Sequence, residues 1–269
     1  MDFRMTHLNA KAPHLKNMAS LDTLLLRELG AVLLFALTAC FYHGAPFVLL
    51  LGMAVLVTVA TEWFFRFLGL SKSLPVDLAL YQQVLLLILF IPENVPAGAA
   101  FLSLMALILA YRAAGGVSGY VIQPGCLALA LLYGLGVKPQ FCLEGISGLT
   151  GTILIFIWCV IRYPRSPIQI QRLALIAGAA FFLCVLHGKP FIPAVIWSLA
   201  AGDLIFDRAL APLSKKGRLI YGLGALALFA LIVAASDGMD ALIFTGLIAG
   251  FFSAWVEERG LTGRVYGSI

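Results

Sequence analysis

Charge is scarce in this chain. Asp, Glu, Lys and Arg make up 12% of its 269 residues, against about 25% in an ordinary soluble domain. Hydrophobic residues make up 62%, and the mean hydropathy is +1.01. So little charge over this length excludes a soluble core for most of the chain and points to a bilayer as its solvent. Cysteine is also sparse. Cys40, Cys126, Cys142, Cys159 and Cys184 include no CxxC pair and have no histidine cluster at ligand spacing, which excludes an iron–sulfur or zinc-ribbon module. Four of them sit inside apolar runs, where cysteine behaves as a small hydrophobe; Cys142 falls in a connecting loop. Neither a dinucleotide fingerprint nor a P-loop is present, which leaves no visible site for a nicotinamide or a nucleoside triphosphate.

Met1–Ser20 has no apolar core and is not expected to be a cleavable signal. Its Arg4, Lys11 and Lys16, interleaved with Phe3, Met5 and Leu8, suit contact with anionic lipid or a cytoplasmic partner. The isoelectric point near 9.0 is better explained by membrane topology than by nucleic acid, and no nucleic-acid partner is expected.

What remains is a series of apolar runs punctuated by proline and glycine. These predict an all-α integral membrane protein with about ten spans, near 24–42, 46–66, 77–91, 97–111, 121–136, 151–161, 172–187, 190–206, 218–236 and 240–255. A basic segment, 1–22, precedes the membrane domain of 23–257, and a tail, 258–269, follows it. Basic residues gather in cytoplasmic loops. Under the ten-span reading every Lys and Arg except Lys138 and Lys189 falls on the side of the amino terminus. Both termini are therefore expected in the cytoplasm, in the manner of a multi-pass protein of a bacterial inner membrane.

Ten spans divide into halves of five, about 24–136 and 151–255. An odd number per half inverts one half relative to the other, as in urea transporters. Such repeats build sites at mid-membrane from short or broken helices. Leu78–Ile91 and Phe191–Phe206 are the short runs of the two halves and are expected to face each other.

Two stretches resemble the RnfD/NqrB family, membrane subunits of Rnf and sodium-pumping NADH:quinone oxidoreductase complexes. In Asp207–Gly222, DRALAPLSKKGRLIYG, the residues Asp207, Pro212, Lys216, Gly217, Arg218, Leu219, Ile220, Tyr221 and Gly222 match in spacing, with Arg208 in place of the family's proline. In Leu85–Leu132, Pro92, Val95, Pro96, Gly115, Gly116 and Pro124 match, and Gln123 stands where asparagine is usual. Thr61-Glu62 resembles the family's Ala-Glu after its second span. The resemblance implies a membrane subunit of a flavin-dependent electron-transfer complex, with ion translocation a companion activity. Its partners would be other membrane subunits and an FMN-bearing or iron–sulfur redox protein. The inverted architecture alone equally suits a non-redox facilitator for a small solute, or a scaffold subunit without a cofactor.

The stretch EGISGLTGT, Glu144–Thr152, falls where the halves join. Two readings stand. Ser147-Gly148-Leu149-Thr150 resembles the family's motif for covalent FMN, which would make Thr150 the attachment site, with Ser147, Gly148 and Gly145 shaping the loop. The alternative is a glycine-rich opening to the sixth span, aligned to the family's G-S-x-G-E-T-S element, with the flavin loop deleted. Its exposed amides would still suit an anionic group, such as a flavin phosphate, without a covalent bond; the cofactor the resemblance implies is FMN or riboflavin. Asp203 and Asp207, four apart on one helix face, are candidates for an ion or polar pathway, although Arg208, Lys215, Lys216 and Arg218 are near enough to pair with them. Glu62, Arg66 and Arg112 lie near span ends, where snorkelling accounts for them. Gln82 and Gln83 suit either a pathway or bonds across helices.

Overall fold

A computed structural model describes residues 21–68, 77–113, 122–162, 167–205 and 215–265. Among the described residues there are ten helices and no strand: α1 (Leu21–His43), α2 (Ala45–Phe67), α3 (Leu78–Leu89), α4 (Ala97–Ala113), α5 (Pro124–Gly134), α6 (Gly148–Arg162), α7 (Pro167–His187), α8 (Phe191–Ile205), α9 (Lys215–Ala235) and α10 (Gly238–Val265). Each corresponds to one apolar run of the sequence. The breaks are chemical. Gly44, at φ +64, turns the chain between α1 and α2, and Pro46 follows in the first turn of α2. The Asp77 side chain caps α3 by accepting from the Leu80 amide. Pro124 stands at the start of α5, where its missing N–H costs nothing. The tenth helix departs most from expectation: it runs ten residues past 255, through Glu257–Arg264, although its apolar part ends at Phe252.

α1 and α2 are the two described helices long and apolar enough to cross a bilayer by length and composition. The others have shorter apolar stretches. At 1.5 Å per residue, α3 is about 18 Å long and α5 about 17 Å, well short of a hydrocarbon core of about 30 Å. α3 and α8 are buried on nearly every side, the mark of a central helix, and they touch each other.

The connections α1–α2, α3–α4, α5–α6, α7–α8 and α9–α10 meet at one end of the bundle. His43 pairs through Nδ1 with Glu93, and its Nε2 lies 2.6 Å from the Cys142 carbonyl oxygen. Lys189 pairs with Glu144, and Lys138 donates to Asp237 at 2.7 Å. Successive helices therefore alternate in direction. The connection before α6 folds inward over this end. Its Gln140 and Cys142 amides donate to the carbonyls of Phe90 and Leu89, which the end of α3 leaves without helical partners. Phe141, Leu143 and Ile146 are buried. Phe141 stacks on Phe90 at 5.1 Å, Phe90 meets Trp197 edge-on at 6.4 Å, and Trp197 meets Phe229 at 5.9 Å. This aromatic row ties the loop to α8 and α9. Burial pushes the Cys142 thiol well above its ordinary range, so this loop cysteine is a packing group rather than a ready thiolate.

Candidate functional site

Three polar groupings stand out among the described residues. The first lies where α3, α5, α8 and α10 converge. Gln83 on α3 accepts at 3.1 Å from Nε2 of Gln123, which precedes α5. Both are buried. Gly125 lets α5 approach: a Cβ there would stand 2.4 Å from Leu204 Cδ1 and 3.4 Å from Gln83 Oε1. Asp203, 1% exposed, is the residue before Leu204 on α8. Gly246 on α10 seats Cys126 in the same way, and its neighbour Thr245 is fully buried. Among the described residues, Gln123 Oε1 and Thr245 Oγ1 are buried without a hydrogen-bond partner. Such an atom costs about 1–3 kcal/mol unless something polar reaches it, so this convergence suits a water, a small cation or a small polar solute. Ser198, also on α8, is occupied within its own helix, donating to the Ala194 carbonyl. Asp207 lies outside the described residues.

The second grouping lies where the end of α2, the start of α3 and the end of α4 meet. Arg112 Nη2 donates to Glu62 Oε1, and Arg112 Nη1 lies 3.9 Å from Asp77. The Tyr111 hydroxyl is 3.1 Å from both Asp77 carboxylate oxygens and donates to them. The side chain of Glu62 is 4% exposed and that of Arg112 15%. Snorkelling, the expectation from sequence, does not describe Glu62 and Arg112. They form a buried ion pair with a second carboxylate beside it. The sequence signal was slight: Glu62 and Arg112 are 50 residues apart, and only their common position at span ends connects them.

The third grouping is the end described above, which carries Glu144–Thr152. Glu144 is held by Lys189 and Ile146 is buried. Gly145, Ser147, Gly148, Leu149 and Thr150 are exposed. Gly148 opens α6 at φ +66, a left-handed turn that favours glycine, and Thr150 stands in the first turn of the helix. Thr152, two residues on, is occupied within α6, donating to the Gly148 carbonyl at 3.0 Å. Gly151 is buried and seats α6 on α8: a Cβ there would stand 2.4 Å from Ile192 Cγ2. The four flavin candidates are thus adjacent at one end. Asp203 is eleven residues along α8 from Ile192, about 17 Å away, so the flavin candidates and the pathway candidate lie apart.

Residues 8–135 match the family model for NQR2, RnfD and RnfE. Over this amino-terminal stretch, just under half of its length, the chain is similar to the NQR2, RnfD, RnfE family. The match reaches one residue past the end of α5 and so takes in the buried ion pair, Gln83 and Gln123, but not Thr150 or Asp203. The family is one of membrane subunits of Rnf/Nqr-type complexes, and the ten-helix bundle is consistent with that. No curated protein matches the chain.

At the same end, the Lys138–Asp237 bond is exposed on both sides. The hydrogen bond from Lys138 holds the Asp237 carboxyl below its ordinary range, and the same bond raises the Lys138 ammonium. A depressed folded carboxylate stabilises above its unfolded pKa, and that contribution is lost as pH falls through the folded value. A raised ammonium stabilises below its unfolded pKa and loses its contribution as pH rises through the folded value. Amide exchange over residues 136–140, corrected for intrinsic rates, is therefore expected to stay slow between those limits. It should accelerate below the ordinary carboxylate range, and Asp237→Asn should abolish that acid-side change.

Proposed function

We propose that this chain is the membrane subunit of a flavin-dependent electron-transfer complex of the Rnf/Nqr type. The observation that carries the reading is the family match over α1–α5. The packing of the second half supports extending it. The neighbours α1·α3, α2·α3, α2·α4, α3·α5 and α4·α5 recur as α6·α8, α7·α8, α7·α9, α8·α10 and α9·α10. Across the halves α1 meets α6, α3 meets α8 and α5 meets α10. Equivalent helices meeting in pairs is the pattern that two inverted five-helix repeats about a pseudo-two-fold axis would produce. Both termini then lie in the cytoplasm of a bacterial inner membrane, and the end bearing Lys138 and Lys189 faces outward, as the distribution of charge requires.

On this reading Thr150 is the attachment point for FMN. The residues fit: an exposed threonine hydroxyl stands in the first turn of a helix, behind a left-handed glycine. A Cβ at Gly145 or Gly148 would meet nothing within 4 Å, so the approach is open. Thr150 would hold the flavin by a phosphoester, Ser147 and the free amides of the first turn would face the phosphate, and the bound flavin would supply one- and two-electron chemistry. Expression with a flavin transferase tests this. The denatured wild-type band is expected to fluoresce as flavin, Thr150→Ala to be dark and Ser147→Ala to retain the signal. A dark wild-type band, or a bright Thr150→Ala band, removes Thr150 from the reading.

A second reading has its own observation. The acceptors at Gln123 and Thr245, where α5 and α10 pack against the helix that carries the buried Asp203, are what a conduit for a cation or small polar solute needs. Solute uptake by liposomes containing the chain alone, sensitive to Gln123→Leu, would favour that reading over the relay.

A further inference from the structure

Three connections of the bundle meet on one side chain that takes no part in the sites above. His43 closes α1. Its Nδ1 pairs with Glu93 of the α3–α4 connection, and its Nε2 lies 2.6 Å from the carbonyl oxygen of Cys142, in the connection before α6. Both partners are acceptors. A carbonyl oxygen has no proton to give, and neither has an ionised carboxylate. A neutral imidazole carries one N–H, so it satisfies one of these oxygens and turns a lone pair toward the other. Both contacts stand together only when the pair holds one proton more. That proton sits either on His43, as an imidazolium, or on Glu93, as a carboxyl that donates to Nδ1.

The surroundings hold no second cation for Glu93. α2 brings the Phe47 ring, 6.1 Å from that of His43. α1 and the connection before α6 bring the thiols of Cys40 and Cys142. α3 and α6, which pack on α1, carry Tyr81, Cys159 and Arg162 toward the opposite end. Lys138 and Lys189 are held by Asp237 and Glu144. His43 and Glu93 are both partly open to solvent, so a proton can enter and leave without the helices parting. When it leaves, the remaining N–H goes to the stronger acceptor, the Glu93 carboxylate, and the Cys142 carbonyl is let go. We infer that the His43–Glu93 pair is a proton-binding site that locks the connection before α6 onto the α1–α2 turn when occupied and releases it when empty. The released backbone leads directly to Gly145–Thr150. The inference goes beyond the proposed function and depends neither on the flavin nor on which side of a membrane this end faces.

The locked state binds one proton more than the released one, so protection is present at low pH and is lost as pH rises. Amide exchange over residues 141–146 of the full chain in detergent, corrected for intrinsic rates and scanned from about pH 5 to about pH 9, tests this. Wild-type protection is expected to fall about tenfold with rising pH, as the loss of one hydrogen bond to a charged group implies. Residues 136–140, fixed through Lys138, are the internal reference and should stay level over the same interval. Glu93→Gln is the deciding variant. Its amide can donate to Nδ1 while Nε2–H donates to the Cys142 carbonyl, so both contacts persist without the extra proton. Its protection should be high and flat. His43→Ala should exchange at every pH as fast as the wild type does at the upper limit. A flat wild-type profile, or a Glu93→Gln profile that falls with the wild type, overturns the inference. Neither result alters the fluorescence of the Thr150 band, so the two readings fail separately.

Discussion

Replacing Arg112 with alanine is expected to lower the unfolding free energy by about 3–5 kcal/mol, the largest single-residue effect outside the apolar core. The reason is the group left behind. The Glu62 side chain is 4% exposed, Arg112 is its ion-pair partner at the end of α4, and removing the guanidinium strands a carboxylate in a low-dielectric setting. Asp77 stays occupied, because Tyr111 donates to it and its own side chain caps α3. Damage should therefore concentrate at Glu62 and the α2–α4 contact. A thermal melt in detergent, followed by tryptophan fluorescence, reads the effect. Glu62→Gln/Arg112→Ala should recover a large part of the loss, since a neutral amide is cheaper to bury than an unpaired charge. If Arg112→Ala melts with the wild type, water reaches the pair and the snorkelling view of these residues returns.

That pair marks the boundary of what the sequence makes legible. The ten helices were readable because each is an apolar run closed by residues with a defined backbone role, such as Gly44 and Pro46, Asp77, Pro124 and Gly148. The convergence of the loops at one end was readable from charge, because Lys138 and Lys189 stand apart from every other basic residue. Partnerships were not. Nothing in the sequence pairs Glu62 with Arg112, Lys189 with Glu144, or His43 with Glu93, because contacts across tens of residues depend on how helices pack rather than on local pattern. The buried convergence was half-legible. Gln83 and Asp203 are recognisable in sequence as polar residues in apolar runs. The Gln123 to Gln83 bond and the burial of Thr245 emerge only when α3, α5, α8 and α10 meet. Gly145, Ser147, Gly148 and Thr150 are contiguous in sequence, so their proximity was assured; their exposure was not.

Gly246→Val should cost about 1–3 kcal/mol through overpacking, and the cost should depend on Cys126. A Cβ at position 246 would stand 2.1 Å from Cys126 Sγ and 3.1 Å from its Cβ. Cys126 is fully buried on α5, and its helix is fixed from the other side by Gly125 against Leu204. Neither helix can simply step away. Gly246 and Gly250 have the small-xxx-small spacing that brings membrane helices together, and that spacing alone does not distinguish an internal contact from a dimer face. The position of Cys126 makes the contact internal, between α5 and α10. Gly246→Ala is thus expected to be rescued in large part by Cys126→Ala, with a coupling of about 0.5–3 kcal/mol in a double-mutant cycle and an unchanged monomer mass. A change in oligomeric state with no coupling to Cys126 would instead place Gly246 on an outer face. It would also remove the α5–α10 contact from the set of equivalent helix pairs on which the repeat reading rests, so the same cycle measures a packing energy and tests the symmetry of the fold.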